Sequence, residues 1–350
     1  MHVPFTRRYV ARGAAAVLAV GLGAVAVSTP WGGPARAQED RSYILTTATT
    51  GGTYYPVGVA LATLTKVRLE PKTGISMSAI TSAGSGENVK LLREDQAQFA
   101  ILQGLYGQWA WTGTGAMANE GQQEWLRTVT MLWQNVEHFG IRADQATTGT
   151  ITDITNLDGR GFSIGKKNSG TEGSGRTILG NLGIDVDATF DVAYLGYGPS
   201  AEAFVNRTID GFNIPAGPPV AAVTQAFAGA GSDLVILDFT DEQVAQANGG
   251  GTLWTPYMIA AGTYPDQNKP INTIAQPNVL AVHADVDEEA VYQITKTIYE
   301  NLPFLGNIHA ATKVMALDKA ITGLPAPLHP GAALFYQEQG ITIPEHLIAE

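Results

Sequence analysis

No cysteine occurs in the 350 residues. Disulfides are therefore excluded, and with them thiolate catalysis and cysteine-ligated metals. Histidine is sparse, and the six present show no H-E-x-x-H or other metal-binding spacing. No Walker A loop or dinucleotide fingerprint is present, and nothing implies a cofactor. Basic charge is also scarce: 21 Lys and Arg stand against 32 Asp and Glu, for a net charge of −11. Such a chain is a poor partner for nucleic acid or anionic lipid. A small anionic ligand stays open, because local dipoles decide its binding. Beyond residue 37 no stretch reaches the roughly 18 continuous apolar residues of a membrane-spanning helix.

What is there begins with an export signal. Arg7, Arg8 and Arg12 precede an apolar run from Ala14 to Val27, and Ala35-Arg36-Ala37 is a small-x-small cleavage site before Gln38. Thr6-Arg7-Arg8-Tyr9-Val10 is also similar to a twin-arginine signal. Cleavage would remove four arginines and no acid from the net charge of −11, leaving −15, and would leave 313 of the 350 residues. At ~150 residues per domain, that length predicts two domains.

The remaining chain alternates strands and helices. Tyr43 to Ala48 reads as a strand, Tyr54 to Val67 as a helix with Pro56 in its first turn, and Ile75 to Ile80 as a strand. A helix over 88–93 and a buried strand over 99–102 follow. The pattern repeats with strands at 136–141, 161–165, 190–194, 209–214 and 234–237, and with helices at 171–182, 199–206 and 218–227. Late in the chain, Val279 to His283 alternates as a strand. Asp287 to Leu302 is an amphipathic helix, with Ala290, Val291, Ile294, Ile298 and Leu302 at helical spacing. This order predicts an α/β fold of two open, mostly parallel sheets flanked by helices. The crossings are expected near Gly140 to Ala143 and near Gln276 to Val279. That division gives a signal segment at 1–37, a first lobe of 38–142 plus 278–350, and a second lobe of 143–277.

The candidate chemistry lies where strands hand over to helices. Gly51-Gly-Thr-Tyr-Tyr-Pro56, Ser82-Ala-Gly-Ser-Gly-Glu-Asn88, Asn168-Ser-Gly-Thr-Glu172 and Ala216-Gly-Pro-Pro219 are each Gly-, Ser-, Thr- or Pro-rich turns leading into a helix. A helix start exposes unpaired amides and about half a positive charge. Several converging on one cleft would bind a carboxylate without an arginine clamp. Each is also readable as an ordinary cap; Ser169 to Glu172 fits a capping box.

Gly51-Gly-Thr-Tyr-Tyr-Pro-Val-Gly58, Ser82-Ala-Gly-Ser-Gly-Glu-Asn88, Asn156-Leu-Asp-Gly159, Ser169-Gly-Thr-Glu172 and Leu328-His-Pro-Gly-Ala332 resemble the signature segments of the TAXI family. These are the solute receptors of tripartite ATP-independent periplasmic (TRAP) transporters. The similarity runs from about Tyr43 to Ile341. It implies a bilobed Venus-flytrap fold, periplasmic binding protein type II-like, that delivers its ligand to membrane permease subunits. The implied ligands are glutamate, glutamine and C4–C5 dicarboxylates. The chain departs from the family pattern at Gly86, at Lys166-Lys167-Asn168 and at Asp210-Gly211-Phe212-Asn213, where ligand preference would differ.

The expected ligand-binding residues are Gly52, Thr53, Tyr54, Ser82, Ser85, Asn88 and Gln103 from the first lobe, with Ser169, Gly170, Thr171 and Asn213 from the second. No catalytic residue is expected. The competing enzyme reading is an exported serine hydrolase. It rests on Gly161-Phe-Ser163-Ile-Gly165, which matches a G-x-S-x-G elbow, and Ser163-x-x-Lys166 also matches an acylase pattern. Against it, Ser163 sits inside an alternating strand rather than on a turn. An extracytoplasmic ligand-sensing domain is a third reading. The acids at Asp285, Asp287, Glu288 and Glu289 stand at a helix start, where they favour the dipole rather than bind a metal.

Overall fold

The computed structural model describes residues 40–349. The expected export segment, residues 1–37, lies outside them. Among the described residues no helix is long and apolar enough to cross a membrane.

The chain opens with β1 (Arg41–Thr46), α1 (Tyr54–Thr73), β2 (Ile75–Ile80), α2 (Ser85–Arg93), β3 (Phe99–Gln103), α3 (Gly104–Thr112) and β4 (Leu126–Val136). A second group comprises β5 (Phe139–Arg142), β6 (Gly161–Ser163), α4 (Gly170–Asn181), α5 (Val186–Thr189), β7 (Asp191–Ala193), α6 (Tyr197–Val205), β8 (Gly211–Asn213), α7 (Ala221–Ala230), β9 (Leu234–Ile236) and α8 (Asp241–Ala247). The return consists of β10 (Thr255–Ile259), β11 (Ile271–His283), α9 (Glu288–Glu300), α10 (Leu302–Ile308) and α11 (Pro330–Glu338).

Two sheets result, with strand orders β10-β11-β3-β1-β2, where β4 also pairs β11, and β7-β6-β8-β5-β9. Each has a parallel centre: β1 pairs β2 and β3, and β6 pairs β7 and β8, all in parallel. Helices cover both faces of these strands, so β3 is buried at every position. The sheets are mixed rather than mostly parallel, because β4, β5, β9, β10 and β11 all pair antiparallel. Strands that carry the chain between lobes and back must run against the βαβ direction.

The longest of these, β11, shares one edge first with β10 and then with β3, and gives the other edge to β4 from His283↔Leu126 to Ala275↔Val136. This ribbon joins separate apolar cores. Leu126 to Trp133 and Val279 to Val282 belong to the first-lobe core. Val136, Ile271 and Ala275 pack instead with Phe204, Phe212 and Val223 of the second lobe. Packing therefore changes sides at Gln134-Asn135 on β4 and at Gln276 to Asn278 on β11. The first change precedes the expected Gly140, since Phe139 to Arg142 is already a strand of the second sheet.

Two late segments close the first lobe. In α9, Ala290, Val291, Ile294 and Ile298 are buried, and Asp287 caps its start by accepting from the Ala290 amide at 2.9 Å. The helix ends at Glu300 rather than Leu302, where α10 begins. His329 caps α11, its Nδ1 accepting from the Gly331 amide at 3.2 Å, with Pro330 in the first turn. A glycine is required next, because a Cβ at Gly331 would lie 2.1 Å from the Glu288 carbonyl oxygen in α9. Gly331→Ala must push α11 off α9 and is expected to cost about 1–3 kcal/mol. Urea unfolding should show a lower midpoint at unchanged slope; a loss under about 0.5 kcal/mol would contradict this packing.

Candidate functional site

Between the sheets lies a narrow cavity of about 30 Å³. Its walls include Gly52, Thr53 and Tyr54 at the start of α1, Gly84 and Ser85 at the start of α2, and Ser169, Gly170 and Thr171 at the start of α4. Gly196 and Tyr197 at the start of α6 complete the ring, Lys166 lies at the rim, and Gln103 and Asn135 form the floor. Helix starts from both lobes thus surround one narrow hollow in the closed molecule.

Eight of the eleven expected ligand-binding residues line this cavity: Gly52, Thr53, Tyr54, Ser85, Gln103, Ser169, Gly170 and Thr171. Three do not. Asn88 is fully buried in a structural knot. Its Nδ2 donates to the carbonyls of Thr47 at 2.7 Å and Ile101 at 2.8 Å, while Oδ1 accepts from Thr46 Oγ1 at 2.8 Å and Ser82 Oγ at 2.6 Å. With every site used, Asn88 ties α2 to β1 and β3, and Ser82 is drawn into the same knot. Asn213 is turned away from the cavity, its Nδ2 donating to Glu137 Oε2 at 2.8 Å.

The turn at Ala216 to Pro219 supplies no helix start, since α7 begins only at Ala221. Ala216 is nevertheless a wall residue. The missing helix start is that of α6. Gly196-Tyr197-Gly198-Pro199 repeats the glycine, aromatic and first-turn proline of Gly52 to Pro56, a signal readable in the sequence.

The lobes are closed on one another, largely through main chain. Gln103 Nε2 donates to Gly170 O at 2.7 Å, the Glu87 amide to Asn168 O at 2.9 Å, Thr53 Oγ1 to Gly217 O at 2.9 Å, and the Ala222 amide to Gly51 O at 3.2 Å. Glycine permits the approach: a Cβ at Gly86 would stand 2.5 Å from Asn168 O, and one at Gly170 would stand 2.7 Å from Gln103 Cδ.

The floor is an amide network whose direction is fixed. Gly170 O takes the Gln103 Nε2 protons, so Gln103 Oε1 faces the Asn135 side chain and accepts from its Nδ2 at 3.2 Å. Asn135 Oδ1 then has no hydrogen-bond partner among the described residues. Beside it, Gln276 Oε1 accepts from the Leu105 amide at 2.8 Å, and Asn278 Oδ1 accepts from Tyr54 OH at 2.5 Å. Buried amides of this kind are held by such bonds or are costly.

Residues 45–340 match the NMT1-like family. The chain belongs to the NMT1-like family. This NMT1-like chain is also similar to the periplasmic binding protein BugD, at 11% identity over 86% of this chain and 94% of that one, with a TM-score of 0.51. MatC from Rhodopseudomonas palustris, solved with bound malate, is similar at 11% identity over 86% of this chain and 97% of that one, with a TM-score of 0.50. These likenesses are of fold: two α/β lobes joined as in periplasmic binding proteins.

The electrostatics of the NMT1-like cleft follow from burial. Burial raises the Tyr54 and Tyr197 phenols well above their usual value, so both stay neutral donors. Tyr197 OH donates to Pro215 O at 2.6 Å and sits 2.9 Å from Thr171 Oγ1. Lys166 is the one cation in the wall, whereas Lys167 packs its ammonium 4.7 Å from the Tyr194 ring centre. No group of His, Asp and Glu among the described residues is arranged to hold a metal. Ser163 is buried on β6 with its Oγ 2.7 Å from Ser200 Oγ, which in turn donates to Gly196 O at 2.8 Å. No histidine among the described residues bonds to it, and it lies on a strand instead of the elbow a nucleophile needs.

Asn88→Ala is expected to strip partners from the Thr47 and Ile101 carbonyls and cost about 3 kcal/mol. A change under about 1 kcal/mol in chemical unfolding would return Asn88 to the list of ligand contacts.

Proposed function

We propose that this chain is an extracytoplasmic solute-binding receptor that closes its two lobes around a small organic anion and hands it to a membrane permease. The observation that carries the reading is a cavity ringed by the starts of α1, α2, α4 and α6 from both lobes, with Lys166 at its rim. Amides at helix starts act as a fixed positive pole, so a carboxylate is held without an arginine. Closure follows when ligand contacts bridge the two walls and so favour the closed arrangement over the open one.

The finer assignment is to the TAXI receptors of TRAP transporters, supported by Gly51 to Gly58, Ser82 to Asn88, Ser169 to Glu172 and Leu328 to Ala332. On that reading the solute is glutamate, glutamine or a C4–C5 dicarboxylate. The apolar run of 14–27 before Ala35-Arg36-Ala37 supports export. The wall residues bind and orient the solute and transform nothing.

A panel of glutamate, glutamine, succinate, malate and 2-oxoglutarate tests the reading by thermal shift. At 100 times Kd a true ligand stabilises the protein by about 2.7 kcal/mol, growing with concentration. Lys166→Ala should weaken that ligand roughly tenfold, in line with about 1.5–3 kcal/mol for a hydrogen bond to a charged group. A flat response to every member would sink the assignment.

A further inference from the structure

Of the buried side-chain atoms that find no hydrogen-bond partner among the described residues, one belongs to the wall of the cavity: Asn135 Oδ1. Asn135 is only 2% exposed. The neighbouring amides Gln276 and Asn278 also have an unpaired end, Nε2 and Nδ2, but neither residue lines the hollow.

The Asn135 amide cannot be turned round. Half a turn would set Oδ1 against Gln103 Oε1, acceptor facing acceptor. Turning Gln103 as well would set its Oε1 against the Gly170 carbonyl oxygen, which now receives Nε2 at 2.7 Å. Gly170 opens α4 in the second lobe, whereas Gln103 and Asn135 belong to β3 and β4. The closed arrangement therefore fixes an acceptor, and not a donor, at the floor.

The rest of the wall offers protons. Ser85 Oγ accepts from the Gln103 amide at 3.1 Å and Ser169 Oγ from the Glu172 amide at 3.1 Å. Neither hydroxyl donates to another described residue, so both protons are available. Lys166 adds an ammonium, and the helix starts add main-chain amides. The tyrosine protons are engaged elsewhere, Tyr54 OH with Asn278 Oδ1 at 2.5 Å and Tyr197 OH with Pro215 O at 2.6 Å. The hollow is thus polarised, with donors around its walls and a fixed lone pair at its floor.

We propose that Asn135 Oδ1 selects the solute, favouring acids that carry an N–H or O–H donor beside the carboxylate, α-amino or α-hydroxy acids, over acids that lack one. The proposal rests on the receptor reading above and narrows it. The carboxylate takes the helix-start amides and Lys166, and the donor turns to Asn135. A hollow of about 30 Å³ leaves little room between them, so the two groups must be near neighbours on the ligand. When the lobes are open, water reaches Oδ1. Closure over an acid without a donor strips that water and leaves a buried acceptor unpaired, a loss of about 5- to 150-fold in affinity.

Titration calorimetry on matched pairs tests this. Malate differs from succinate by one hydroxyl, and glutamate from glutarate by one ammonium. The wild-type protein should bind the donor-bearing member of a pair about 5- to 150-fold more tightly. Asn135→Leu, similar in size and without an acceptor, should bring that ratio close to one. A crystal structure of the wild-type protein with the tighter acid should place its hydroxyl or ammonium within about 3.2 Å of Asn135 Oδ1; this reading decides even if the leucine variant does not fold. Equal affinities within each pair that binds overturn the proposal. So does a preference that survives Asn135→Leu, or a ligand donor seated away from Oδ1 with a fixed water in its place. Absence of binding by all four acids strikes the receptor reading and takes this proposal with it, whereas binding without preference strikes this proposal alone.

Discussion

Burying polar groups in the middle of an apolar ribbon is the constraint from which the rest of the molecule follows. The β4–β11 pair is anchored at one end in the first-lobe core and at the other in the second. Between those anchors its cleft face carries Asn135, Gln276 and Asn278, all buried. One end of each amide is paired, and that pairing fixes which way it points. The Gly170 carbonyl, delivered by the second lobe, sets the direction of Gln103, and Gln103 sets that of Asn135. The same bond that closes the lobes therefore orients the floor that a ligand meets.

The site works against the charge of the whole chain. For the anionic ligand proposed above, a net charge of −11 would repel at long range, while the helix starts and Lys166 would attract over a few ångströms. Distant charges are screened by salt within a Debye length of ~8 Å, whereas amides in the wall act at contact and in a low dielectric. Neutral Tyr54 and Tyr197 keep the hollow polar without filling it with charge. Glu137 stands out because it alone among these buried groups has a titration brought close to physiological pH.

The α/β alternation and three of the four helix starts were legible in the sequence, because glycine and hydroxyl residues between an apolar strand and an amphipathic helix have few other uses. The capping box at Ser169 and Glu172 held as read, with Glu172 N donating to Ser169 Oγ at 3.1 Å. What stayed hidden was tertiary. Nothing local distinguishes the start of a helix that points at a cleft from Asn88 three residues inside one, whose partners are carbonyls 41 and 13 residues away. Asn213 was placed at the cavity because it ends a strand, and its true partner, Glu137, comes from the step between β4 and β5. The step at Glu137-His138 was absorbed into one expected strand, since alternation continues across it while the backbone changes sheets. Asn135 and Glu137 read locally as surface residues. Only the ribbon's burial in the closed molecule makes them interior.

The seal between the lobes is mostly main chain: carbonyls of Gly51, Asn168, Gly170 and Gly217 are the acceptors, and bare glycines let them come near. A latch of that construction is indifferent to cargo. Residues such as Lys166, Thr171 and Tyr197 can be exchanged to suit another molecule without loosening the clasp, because the clasp recognises peptide groups and not the guest. The converse also holds, since bulk added at a single glycine would prop the jaws apart however well the guest fitted.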